Sequence, residues 1–388
     1  DIGNHVPSVR RVPELDVEAF ISERNQTRAD WTLSDGSQQI MRCYLLIGAD
    51  ERHAVFFHGS HTLMDACPTL RAFGNLLCCM CHDSNKDLAD LPWGTEWTNL
   101  PVGPVSATGG PRDDWETSGI EMIQKVVQAH QPETPTRGLV PQRQTVMKSS
   151  KPVHVHSILS DDVSAELLRA VKNHGHGLTI SHIFEAAQAL AILKLHPVPE
   201  EDLVTSHITW PGAIYTLDGW MVPPYNSEMR FVSSLGLFPI IVQCKEILWQ
   251  AQREERIVSL AKIIESQWKE YLVRPHFPHL LAVIIQLNPP LVPTISSNPY
   301  STTYTNLGII DKVLPKIWAV DETGSDTIVI QDMSFGHWLT TPTVLMHIWT
   351  MESKIHVQVE ANDMWDEDYL QSYLDEIVHQ AENVLPLA

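Results

Sequence analysis

Ala54-Val55-Phe56-Phe57-His58-Gly59-Ser60-His61-Thr62-Leu63-Met64-Asp65-Ala66 is the stretch on which the reading of this chain turns. Its first four residues form an apolar run of the kind a buried strand carries, and Leu70, Phe73, Leu76 and Leu77 beyond it recur at helical spacing. His61 therefore falls at the end of a strand, and Asp65 in the turn that opens a helix. An imidazole titrates near neutral pH, so a histidine presented on such a turn can take a proton from a hydroxyl or an amine. A carboxylate so close in sequence can fix the loop by accepting hydrogen bonds or by pairing with an arginine. The plainer alternative is a buried histidine followed by a helix-capping aspartate. The strand before and the helix after favour the catalytic reading.

Outward from this stretch, residues 41–47 and 53–58 read as two strands joined by Gly48-Ala49-Asp50-Glu51, a hairpin. Glu116 to Ala129 reads as a helix with Ile120, Ile123, Val126 and Val127 on one face. Residues 131–150 carry Pro132, Pro135 and Pro141 with few periodic apolar positions, and read as a linker. The division expected is an N-terminal subdomain over 1–150, with the histidine loop and the linker, and a C-terminal subdomain over 151–388. The second begins with the strand Val153-His154-Val155-His156, whose histidines share one face open to solvent or to a channel. Lys245 to Leu272 reads as one long amphipathic helix, and Pro289, Pro290, Pro293 and Pro299 interrupt regular structure until a strand starts at Tyr304.

The loop Ser60-His61-Thr62-Leu63-Met64-Asp65-Ala66 resembles the His-His-x-x-x-Asp-Gly motif of the chloramphenicol-acetyltransferase-like superfamily. That superfamily takes in the BAHD acyltransferases, the condensation domains of nonribosomal peptide synthetases, and the fungal trichothecene and alcohol O-acetyltransferases. The second histidine and the aspartate are kept, Ser60 stands for the first histidine and Ala66 for the glycine. The likeness continues in Ser157-Ile158-Leu159-Ser160-Asp161-Asp162-Val163, in Gly177-Leu178-Thr179-Ile180-Ser181 with the apolar run to Leu195, and in Ser234-Leu235-Gly236-Leu237-Phe238-Pro239. It extends through Tyr304-Thr305-Asn306-Leu307-Gly308-Ile309-Ile310-Asp311 to Ile355-His356-Val357-Gln358-Val359 and Asn362-Asp363-Met364-Trp365. The family carries a longer segment before its histidine motif, so further chain is expected ahead of Asp1.

The resemblance implies an α/β fold of two chloramphenicol-acetyltransferase-like subdomains with a channel between them and His61 midway along it. It implies an acyltransferase in which His61 is the general base, Asp65 holds the loop, and Ser60 lies beside the substrate. The acyl donor is a CoA or carrier-protein thioester and the acceptor a hydroxyl of a small secondary metabolite, in a fungal biosynthetic setting. Asn306, at a strand end, is a candidate donor to a tetrahedral oxyanion, with a turn residue before Gly308 as the alternative. Ser334-Phe335-Gly336-His337-Trp338 matches the Asp-Phe-Gly-Trp-Gly box of BAHD enzymes only at Phe335 and Gly336. His337 and Trp338 are candidates for the acceptor pocket, with core or surface placement as the alternative. Two further functions stay open: the same fold reused for cyclisation, dehydration or a pericyclic step, and a non-catalytic binding module.

Composition narrows the partners. The 388 residues hold 27 Lys and Arg against 47 Asp and Glu, a net charge of −20, which argues against a nucleic-acid backbone or an anionic membrane as partner. A CoA phosphate tail would then need a local basic patch, for which Arg137, Arg143, Lys148 and Lys151 are the candidates. Cys78-Cys79-Met80-Cys81 contains one Cys-x-x-Cys without a second pair, so no metal site and no bound cofactor are expected. No apolar run of the length a transmembrane helix needs occurs. The expectation is a cytoplasmic monomer with reduced thiols.

Overall fold

The computed structural model describes residues 16–26, 32, 36, 41–48, 52–61, 65–82, 95, 102–130, 136–143, 151–175, 177–227, 231–287, 302–320, 324–339 and 341–385. In chain order the elements are α1 (Val17–Asn25), β1 (Met41–Ile47), β2 (His53–Gly59), α2 (Ala66–His82), α3 (Pro104–Ala107), α4 (Ile120–His130), β3 (Thr136–Arg137) and β4 (Pro152–Ile158). They continue as α5 (Asp161–His174), α6 (Ile180–Leu195), β5 (His207–Thr216), β6 (Leu235–Gln243), α7 (Arg253–Leu272) and α8 (Leu280–Leu287). The last are β7 (Thr302–Ile309), β8 (Ile317–Ala319), β9 (Thr327–Val329), β10 (Val344–Met351), β11 (Lys354–Asn362) and α9 (Glu367–Glu382).

The expected hairpin is present: β1 and β2 pair antiparallel from Met41 opposite Gly59 to Ile47 opposite His53. The main sheet has seven strands in the order β3-β5-β7-β10-β11-β4, with β6 added to β5. It is mixed. The pairs β3–β5, β5–β7 and β7–β10 are parallel, and β10–β11, β11–β4 and β5–β6 are antiparallel. Parallel neighbours need crossover connections, which α7 and α8 supply between β5 and β7.

Side chains alternate across a strand, and β11 uses this to separate two environments. Ile355, Val357, Val359 and Ala361 enter the main core, together with Met346 and Ile348 of β10. On that side α6 lies between α7 and α9, and its residues 182–193 are all buried. A helix that is apolar on every side has to be central, because no face of it can meet water at low cost. The polar groups it carries inward are bonded: Gln188 accepts from the Trp210 indole and donates to Thr302 Oγ1, and Glu185 accepts from the Trp268 indole. The other side of the sheet holds a smaller core of Leu70, Ile310, Leu314, Trp349 and Met351, with Phe73 and Leu77 packed against it. Thus α2, the helix after the histidine loop, is seated on the C-terminal sheet.

Three expectations are modified. The long helix starts at Arg253 rather than Lys245, because the preceding segment is held open. Arg256 donates to the carbonyls of Leu248, Trp249 and Ala251, and the Trp249 indole donates to the Cys244 carbonyl. Within the expected linker, residues 131–135 and 144–150 lie outside the described residues, while 136–137 form β3 alongside β5. The main core also reaches N-terminal of residue 150, since Met122, Val126 and Leu139 are part of it.

Gly236, at the centre of the Ser234–Pro239 motif, has no room for a side chain. A Cβ there would lie 2.7 Å from Phe277 Cζ and 2.9 Å from Leu217 Cδ2. Gly236→Ala is expected to cost about 1–3 kcal/mol through overpacking. Urea unfolding should show a lower midpoint at unchanged slope; an unchanged midpoint would mean that Phe277 yields freely.

Candidate active site

The histidine loop is fixed from both of its ends. On the strand side, Phe57 of β2 stacks on Phe73 of α2, ring centroids 4.2 Å apart and 15° from parallel. On the helix side, Asp65 is buried, and its Oδ2 accepts from Ser233 Oγ at 2.9 Å and from the Ser234 backbone N–H at 2.8 Å. Six residues on, Arg71 of α2 forms an ion pair with Asp218, its Nη1 at 3.2 Å from Oδ1. Both anchors lie on the connection between β5 and β6. Asp65 therefore holds the loop through two serines, whereas sequence reasoning proposed an arginine as one possible partner. Burial pushes the Asp65 carboxyl up, and the two hydrogen bonds and His61 partly offset this.

His61 follows Ser60 at the end of β2 and is exposed, while Ser60 is half-buried. Thr62, Leu63 and Met64 of the motif lie outside the described residues. Two further expected residues sit on the loop over the polar side of the sheet. His337 has its ring centroid 5.2 Å from that of His61, tilted by 34°. Trp338 beside it is half-buried. Asn306 is arranged differently. Its Nδ2 donates to Ser181 Oγ at 2.7 Å and its Oδ1 accepts from the Gly308 N–H at 2.7 Å. Gly308 has φ +80°, so the amide spans an irregularity of β7 that needs glycine, where the pairing with β10 shifts register.

Beneath His337 lies a group that sequence reasoning missed. Glu360 of β11 is buried, and its Oε2 accepts from the His337 backbone N–H at 3.1 Å and from His337 Nδ1 at 2.8 Å. Its Oε1 accepts from Gln358 Nε2, which also donates to the Phe335 carbonyl at 3.0 Å. His347 of β10 is buried, with Nε2 3.7 Å from the same Oε2 and its ring stacked on that of His337. Burial favours neutral Glu360, but the His337 charge and the hydrogen bonds prevail and hold the carboxyl well below the usual carboxylate range. Burial opposes charge on His337 too, yet Glu360 outweighs it and raises His337; His347, buried and facing other histidines, is lowered. The facing atoms of His337, His347 and Glu360 lie within 4.8 Å of one another, near enough to be weighed as a metal-binding group. Oε2 already accepts two N–H groups, so the arrangement is that of a hydrogen-bonded cluster.

Other candidates drop out. Burial pushes the Cys67 thiol up to about 11, which keeps it protonated and unreactive beside the loop. Of the basic cluster, Arg137 is paired with Asp202 and Arg143 with Asp366, and Lys148 lies outside the described residues. No helix among the described residues is long and apolar enough to cross a membrane.

No protein-family model matches the sequence, and no curated protein matches it. Solved structures do. A trichothecene 15-O-acetyltransferase from Fusarium sporotrichioides superposes with a TM-score of 0.73 at 18% identity, over 90% of this chain and 71% of that one. The fold is that of the chloramphenicol-acetyltransferase-like enzymes. The condensation domain of the monacolin K polyketide synthase gives a TM-score of 0.56 at 12% identity, over 94% of this chain and 76% of its own. A cyclization–docking bidomain from Sorangium cellulosum gives 0.56 at 12%, over 96% and 68%.

Because Asp65 is the buried anchor, Asp65→Ala should leave the Ser234 N–H without its acceptor, at a cost of about 1–3 kcal/mol. Asp65→Asn, which keeps an acceptor oxygen, should cost less. Denaturant melts of both variants check this; equal stability of Asp65→Ala and the wild type would remove Asp65 from the role of anchor.

Proposed function

We propose that this chain is an acyltransferase that moves an acyl group from a CoA or carrier-protein thioester to a hydroxyl of a small secondary metabolite. The observation that carries the reading is the placement of His61. It is the exposed residue of a loop whose other functional member, Asp65, is buried and bonded across the fold to Ser233 and Ser234. A base must meet substrate while its loop stays still, and this division of labour provides both. His61 would remove the acceptor's proton as the acceptor oxygen attacks the thioester carbonyl. Ser60, next to His61, and Trp338, next to His337, would line the acceptor's path in a channel between the subdomains. With two of the four candidate basic residues already paired, binding of the thioester would rest on its pantetheine arm more than on its phosphates.

A second reading keeps the fold and replaces acyl transfer with cyclisation of one bound substrate. Its support is that a cyclization-bearing protein shares this fold at a comparable TM-score to a condensation domain.

The test is release of free thiol from acetyl-CoA and from an acyl-carrier thioester, with product followed by mass spectrometry over a panel of alcohols. His61→Ala is expected to lower turnover by roughly 10²–10⁴-fold and to leave the fold intact. Product formed without any thioester would sink acyl transfer and favour cyclisation.

A further inference from the structure

Glu360 serves two histidines and can neutralise the charge of only one. His337 Nδ1 is 2.8 Å from Oε2, and His347 Nε2 is 3.7 Å from it. The two rings are stacked with centroids 5.1 Å apart and 8° from parallel. His347 is enclosed, and neither of its ring nitrogens is hydrogen-bonded among the described residues. The His337 side chain keeps 25% of its surface open. A charge costs least on the imidazole that is nearer the carboxylate and reaches water. The proton therefore belongs on His337, and the direction of each shift agrees: His337 is raised, His347 lowered.

The carboxylate also fixes which nitrogen does what. Glu360 can only accept, so Nδ1 carries a hydrogen toward it and Nε2 becomes the nitrogen available to a ligand. Gln358 holds the far oxygen of the carboxylate, which keeps Oε2 on His337. The ring so oriented lies beside His61, centroid to centroid 5.2 Å.

The geometry points to His337 as a second catalytic residue of the His61 site, oriented by Glu360, whose Nε2–H stabilises the anionic oxygen formed while His61 takes the acceptor's proton. This rests on the acyl-transfer reading and supplies the oxyanion donor that Asn306, with its amide committed, does not. In the first step the acceptor oxygen bonds to the thioester carbon, its proton passes to His61, and the carbonyl electron pair moves onto oxygen opposite His337. In the second that pair returns, the C–S bond breaks, and the thiolate takes the proton held by His61. His337 starts and ends protonated. The titratable groups facing it are Glu360 on β11, His347 on β10 and His61 on the loop. Turnover needs a neutral His61 and a charged His337, so the rate should rise and then fall with pH, the falling limb belonging to His337.

The first test needs no substrate: a nitrogen-15 NMR titration of the histidine side chains in wild type and in Glu360→Gln. Expected is His337 protonated at Nδ1 and titrating above the ordinary histidine value, moving to or below that value in the variant. His337 protonated at Nε2, or titrating no higher than an ordinary histidine in wild type, overturns the proposal even if acyl transfer is real. The second is the pH profile of thiol release from acetyl-CoA. Glu360→Gln should move the falling limb to lower pH, and His337→Gln should abolish that limb and lower kcat by roughly 10²-fold with little change in KM. An unchanged profile in His337→Gln overturns the proposal. Absence of thiol release from wild type with both acetyl-CoA and an acyl-carrier thioester over the panel of alcohols overturns the acyl-transfer reading and the oxyanion role together, whereas normal turnover with an ordinary His337 titration overturns the oxyanion role alone.

Discussion

One carboxylate oxygen joins the histidine loop to the distant half of the chain. Asp65 Oδ2 accepts from the half-buried Ser233 hydroxyl and from the buried Ser234 backbone N–H just ahead of β6. A buried acceptor with two donors is costly to break, since either donor would be left without a partner. The direction in which His61 points follows from this. Displacing Asp65 would break both bonds, and α2 is held further by the Arg71–Asp218 pair and the Phe57–Phe73 stack. The site is therefore assembled by tertiary bonds made far from the base itself.

The second element of order is the two-faced sheet. In β11 the apolar residues turn to the helical layer, while His356, Gln358 and Glu360 turn the other way and are nonetheless buried. An antiparallel ladder often leaves its polar face in water. Here that face is covered by the 331–339 segment and approached by the histidine loop, so its polar residues must find partners in protein. Glu360 finds three donors, two on His337 and one on Gln358, and in doing so orients the His337 imidazole.

Much of the fold was legible in the sequence because its signals are local. Two short apolar segments, 41–47 and 53–58, joined by Gly48-Ala49-Asp50-Glu51 marked the hairpin, the apolar run to Leu195 marked the central helix, and the order of short motifs pointed to the superfamily whose fold the structure has. His61, Asp65 and His337 could be named as candidates from local motifs, and the structure adds that His61 and His337 lie side by side. Glu360 and His347 could not be named so. Each lies in a strand whose pattern explains it as an outward polar residue, and only long-range packing shows that the outward face is enclosed. The signal available was four consecutive polar residues of one face, His356, Gln358, Glu360 and Asn362, with no lysine or arginine among them, which is unusual for a solvated face. Helix α8, apolar at every one of its eight residues but Gln286, gives no period to read. The serine partners of Asp65 could not be deduced, because nothing in residues 60–66 refers to residues 233–234.

The register of β4 has a consequence for how the chain is made. Strand β4 sits at the edge of the order β3-β5-β7-β10-β11-β4, and its sheet partner is β11, with His156 opposite Gln358. More than half the chain separates these strands. During synthesis β4 emerges long before its partner exists, and it carries Val153 and Val155 with a full row of open backbone donors and acceptors. Such a segment invites pairing with another nascent chain, and non-local ladders of this kind close slowly. In the folded chain His156 stacks on Trp349 and His356 and is hydrogen-bonded to His356 Nδ1, so closing this edge also completes a cluster of rings.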